Sequence, residues 1–193
     1  MIYLVLGLVI FLGVHSVRIV ADDWRSQQQA RWGIATWQAA YSLLSVLGLG
    51  LIVWGFGVAR QSPLYLWGPP VGMRHLAALL NLMAFVLLAA AYVPRNQIKA
   101  RVRHPMLAGV KLWALAHLLA NGNLAHVVLF GSFLVWAVAD LVAARRRERA
   151  EPATAMAQTK TGATGVAVAI GVALWVAFTL WLHGLLIGVR PLG

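Results

Sequence analysis

The stretch "RHPMLAGVKLWALAHLLANG", residues 103–122, decides how the chain is read. It is an apolar run that opens with Pro105, a residue tolerated where a helix begins because the first-turn N–H has no partner anyway. It closes on the turn "NGN" at 121–123, and a second apolar run follows at once. Two such runs joined by three turn-forming residues predict an antiparallel helical hairpin. Yet the first run carries His104, Lys111 and His117, groups that hydrocarbon excludes. Each must be paired, reach the surface, or hold a ligand.

The rest of the chain sets the solvent. Of 193 residues, 61% are hydrophobic and 11% charged, more apolar surface than a water-soluble domain can hide. Apolar segments at about 2–21, 38–59, 73–93, 105–121, 124–143 and 163–187 approach or exceed the roughly 20 residues that cross ~30 Å of hydrocarbon. The expected fold is an all-α integral membrane bundle of about six transmembrane helices, one domain over 1–193. The N-terminal run lacks a basic start and a small-residue cleavage site, so it is expected to be a retained span. No cysteine is present, which excludes disulfides and thiolate metal ligands.

A net charge of +11 would suggest nucleic acid in a soluble protein. Here the cations lie in the short loops between spans, so no nucleic-acid partner is expected. Twelve Lys and Arg fall at 18–31, 95–103, 145–149 and 160, against Arg60, Arg74 and Arg190 on the other side. The positive-inside rule then puts the first set in the cytoplasm and both termini outside. Trp24, Trp32 and Trp37 flank the cytoplasmic boundary, at the depth where amphipathic rings anchor. The second span carries Gly48, Gly50, Gly55 and Gly57, which predicts close helix packing, internal rather than at a dimer face. The polar stretch 151–165 is expected to be a linker.

Of six histidines, His75, His104, His126 and His183 fall near the membrane boundaries, and a hydrogen-bonded interfacial role is expected for them. His15 and His117 lie inside spans, where an ionisable group marks a functional site by default. The first span runs inward and the fourth outward, and side chains lean toward the N-terminus of their helix. The two imidazoles therefore point toward each other across an offset of about 11 Å along the membrane normal. That suits two nitrogens gripping one iron in a flat macrocycle, so haem is the expected cofactor. Zinc would need further ligands that this core lacks. Lys111 is expected to snorkel, to meet a haem carboxylate, or to pair with Asp140, the acid in the neighbouring span.

The pieces "FLGVHS", "YSLLS", "AAYVP", "RHPMLAGVKLWALAHLLANG" and "FGSFLVWAVAD", in this order, closely resemble the NnrU family of bacterial membrane proteins. That family is associated with denitrification, and it is similar to the 15-cis-zeta-carotene isomerases, haem b proteins that isomerise a polyene. The resemblance implies a bacterial cytoplasmic membrane location and haem b with His15 and His117 as axial ligands. It also implies a lipophilic polyene substrate or, alternatively, a non-enzymatic role in nitrite and nitric oxide metabolism with a redox partner. Arg103, His104 and Lys111 count as further candidate cofactor-binding residues. The isomerases carry a cysteine three residues before the second histidine, where this chain has Ala114, which puts a ligand switch of that kind in doubt. "RHPMLAG" also resembles an element of membrane methyltransferases, but the tyrosines that follow it there are missing here.

Overall fold

The computed structural model describes residues 1–150 and 158–192. Residues 151–157, about half of the linker expected over 151–165, lie outside them, and residues 161–165 of that stretch are helical instead, the start of a span. The helices are α1 (Ile2–Val20), α2 (Asp22–Trp32), α3 (Ile34–Ala59), α4 (Met73–Tyr92), α5 (Gln97–Val102), α6 (Pro105–Ala120), α7 (Leu124–Ala150), α8 (Thr161–Ala177) and α9 (His183–Ile187). A π-helical turn over Phe178–Leu182 joins α8 to α9 as one rod of 27 residues. Five helices are long and apolar enough to cross a membrane, and α6, with 16 residues, is shorter. The chain is thus a helical membrane bundle. Among the described residues the only β feature is an isolated bridge between Tyr65 and Asn123.

The helices form a row in the order α3, α1, α7, α6, α4, α8. Small residues make this row close. A Cβ on Gly7 would lie 2.6 Å from the Ile52 nitrogen, one on Gly48 would lie 2.8 Å from the Phe11 nitrogen, and one on Gly55 would overlap the Leu4 backbone. In lipid, where burying apolar groups brings no gain from leaving water, such close van der Waals approach is what holds two helices together. Internal packing therefore accounts for Gly48 and Gly55, while Gly50 and Gly57 face open space. The α4–α6 contact repeats the device, with Gly109 against the Ala84 carbonyl and buried Ala84 and Ala116 nearby.

Different chemistry ties the two ends. At the end remote from the cation-rich loops, the α3–α4 loop seats on the α6–α7 hairpin. Leu66 and Trp67 donate backbone N–H groups to the Gly122 carbonyl at 2.7 and 3.2 Å, and Leu124 donates to Leu64 at 2.9 Å. Any side chain at Gly122 would collide with the Trp67 carbonyl, so glycine is required there. Arg60 at the end of α3 donates to the Ile187 carbonyl at 2.9 Å, drawing the two ends of the row together. At the cation-rich end, the buried Asn96 caps α5 by accepting the Lys99 N–H at 2.7 Å, and its amide donates to the Ala90 carbonyl at 2.8 Å.

Three further expectations need correction. The loop after the first span is mostly α2, a polar helix with Asp22 and Asp23 in its first turn, where they complement the helix dipole. The cation-rich loop before Pro105 contains α5. Finally, α7 continues past the expected end at 143 to Ala150, because its basic run is compatible with helix and favourable at a C-terminus.

Candidate functional site

His15 and His117 are held in the same way. His15 Nδ1 lies 2.6 Å from the Phe11 carbonyl and His117 Nδ1 lies 2.8 Å from the Trp113 carbonyl, each four residues back on its own helix. A carbonyl only accepts, so each imidazole donates through Nδ1, and in the neutral ring that leaves a lone pair on Nε2. Metal-ligating histidines are commonly oriented by such a bond. Aromatic rings complete each setting. His15 stacks on Phe11 at 4.2 Å and meets Tyr41 and Trp136 at 5.2 and 6.0 Å. His117 stacks on Phe130 at 4.3 Å, with Trp113 at 5.3 Å.

The two histidines open onto different spaces. His15 lines a cleft of about 690 Å³ at the cation-rich end, shared with Tyr41, Trp136 and several basic residues. His117 lines two apolar clefts toward the opposite end, of about 410 and 290 Å³. Helices α1 and α6 do not pack on one another, and both rest on α7. Between the imidazoles runs a chain of rings: Phe11 lies 5.8 Å from Phe133, and Phe133 lies 5.5 Å from Trp113. The depth offset read from the sequence therefore corresponds here to two chambers with an aromatic partition.

The other candidate residues separate. Arg103 and His104 line the His15 cleft, and both face Glu148 on α7 at 3.6 and 3.1 Å. The His104 contact is short, but its direction is too poor for a hydrogen bond. Arg103 itself has φ of +62°, and the His104 N–H donates to the Val102 carbonyl at 2.7 Å. That is a γ-turn of the rare, strained kind, and such strain is held where the surroundings over-determine it. Pro105 begins α6 as expected. Lys111 lines none of the three clefts. The expected Lys111–Asp140 pair is not formed: Asp140 faces Arg147 at 3.5 Å instead. The physical reason is the extra length of α7, which places Arg147 two turns away on the same helical face.

Sequence reading understated two further histidines. His126 and His183 line the same cleft as His117. His126 Nδ1 lies 2.6 Å from Asn123 Oδ1, and His183 Nδ1 lies 2.6 Å from the Val189 carbonyl. Flanking the "NGN" turn, His117 and His126 sit at one depth, a signal that was available. The placement of His183 depends on the π-helical turn, which apolar periodicity does not announce.

A family model described as NnrU protein matches residues 3–191. The chain belongs to the NnrU family. No curated protein and no solved structure matches it. The donor set that the expected haem would meet is two imidazoles, each with Nε2 free of a hydrogen bond, in aromatic and apolar surroundings. One macrocycle shared by both would require the rings of Phe11, Phe133 and Trp113 to turn aside. Among the described residues, no group of three or more His, Asp or Glu lies close enough to hold a bare metal ion.

Proposed function

We propose that this NnrU family member is a haem b membrane protein with His15 and His117 as its imidazole ligands. The observation that carries the reading is the shared anchoring of these two side chains, Nδ1 to the helix carbonyl and Nε2 left for a ligand. An ordinary buried histidine would gain as much from satisfying both nitrogens; two inside spans that each satisfy only one suggest a common task. When bound, haem would supply a redox centre, able to bind a small gas or to polarise a double bond once either His15 or His117 releases it. The chain's own residues would do the rest. Phe11 and Phe130 fix the ring planes, the apolar clefts beside His117 admit lipophilic molecules from the bilayer, and Arg103 offers a cation and His104 a ring nitrogen for a carboxylate at the headgroup level. The activity proposed on this site is cis-trans isomerisation of a lipophilic polyene.

The test is expression with added haem precursor, purification in detergent and a pyridine haemochrome spectrum. Wild type is expected to carry stoichiometric haem b, with a low-spin six-coordinate signal if both histidines bind one iron. His15→Ala and His117→Ala should each convert that signal to high spin or remove it. A wild-type protein without a haem band ends the proposal. Loss in only one variant assigns a single ligand. Polyene turnover in lipid vesicles supports the isomerase, whereas carbon monoxide or nitric oxide binding without turnover replaces it by a non-enzymatic role.

A further inference from the structure

The cleft beside His15 has a composition that haem ligation does not explain. Five cations line it, each from a different part of the chain: Arg18 at the end of α1, Arg25 on α2, Lys99 on α5, Arg103 in the γ-turn and Arg147 on α7. Two carboxylates also face it, Asp140 and Glu148. Both are matched already, Asp140 by Arg147 and Glu148 by Arg103. Arg25 meets Asp22 at 3.0 Å, while among the described residues neither Arg18 nor Lys99 faces a carboxylate. Topology alone asks only that basic residues lie on one side of the membrane. It does not ask that they gather around one space.

Neutral donors extend the pattern inward. Tyr41 and Gln38 line the same cleft, and so does Trp136, whose buried indole N–H has no acceptor among the described residues. A buried donor without an acceptor is costly, so its natural complement is an oxygen from outside the chain. Trp37 also lines the cleft and meets Trp24 and Trp32 at 5.9 and 6.1 Å, a cluster of the kind that sits at headgroup depth. The space therefore runs from headgroup level, where it offers charge, toward the hydrocarbon, where it offers neutral donors.

We infer that this cleft binds the phosphate of an anionic glycerophospholipid, with the cations holding the phosphate and the deeper donors taking ester carbonyls. Basic pockets between spans on the cation-rich side are suited to such headgroups. The inference shares the His15 cleft and Arg103 with the haem reading, but Arg18 and Lys99, on which its test turns, are not assigned to the cofactor.

The experiment is native mass spectrometry of the intact protein, delipidated in mild detergent and titrated with phosphatidylglycerol or phosphatidylcholine, with haem content measured on the same samples. Wild type should retain phosphatidylglycerol in preference to phosphatidylcholine. The double variant Arg18→Gln, Lys99→Gln should lose that preference by roughly tenfold or more, and Arg18→Lys, Lys99→Arg should restore it. Haem content should not change between them. Equal retention of the two lipids by wild type, or an undiminished preference in the neutral variant, overturns the inference. Full displacement of phosphatidylglycerol by millimolar inorganic phosphate or glycerol phosphate also overturns it, reassigning the cleft to a free phosphate.

Discussion

The two ends of this bundle are joined by different forces. At the His117 end, loop 64–67 and the hairpin tip exchange backbone hydrogen bonds, and Phe130 fills the space against His117 and Trp113. At the His15 end, helices α6 and α7 are linked by ions, with Arg103 reaching Glu148 and His104 beside it. The same anchored imidazole thus sits in an apolar, aromatic setting at one end and beside charged groups at the other. Packing and backbone hydrogen bonds are indifferent to salt, whereas exposed ion pairs are screened by it. The comparison teaches that one end is held by contacts that salt leaves alone and the other by contacts that salt can loosen.

The largest test of this contrast is Phe130→Ala. Phe130 is buried and touches His117, Trp113 and His126, so its loss should cost about 3 kcal/mol, through lost contacts rather than through water exposure. A fall in melting temperature in detergent, equal at low and high salt, is the expected reading; an unchanged melting point would mean the rings are not packed there. Gly122→Leu should cost about 2 kcal/mol by driving Trp67 off the hairpin, with faster amide exchange at Leu66, Trp67 and Leu124. Protection that survives the substitution would separate the loop from the tip.

Smaller effects are expected at the cation-rich end. Glu148→Gln should cost about 0.5 kcal/mol at low salt, since the pair is partly exposed, and its difference from wild type should vanish near 1 M salt. A cost that persists in salt would make that end as indifferent to salt as the other. Lys111→Met should change stability by less than about 0.5 kcal/mol, because Lys111 makes no ion pair among the described residues. A larger loss would reveal a partner for its ammonium.

Much of the architecture was readable because hydrocarbon imposes a length and a composition on whatever crosses it. The six apolar stretches, the tight turn at 121–123 and the start of α6 at Pro105 all follow from that and from proline's missing N–H. Helices α2 and α5 were not readable, since one is polar and the other only six residues long, and neither carries an apolar periodicity. The pairing of Asp140 failed for a related reason: span length was judged by where apolarity ended, while α7 kept its backbone hydrogen bonds through the arginine run.

At the candidate site the division is sharper. Sequence alone placed His15 and His117 within spans and at different depths, because helix rise is a property of any α-helix. Only the tertiary structure decided what stands between them and what joins them: the rings of Phe11, Phe133 and Trp113, the cations around His15, and the arrival of His126 and His183 beside His117. Those are matters of which helix faces which. A periodic chain states its own faces, but neighbours are chosen by where glycine and alanine let backbones approach, and that choice is made by the whole bundle at once.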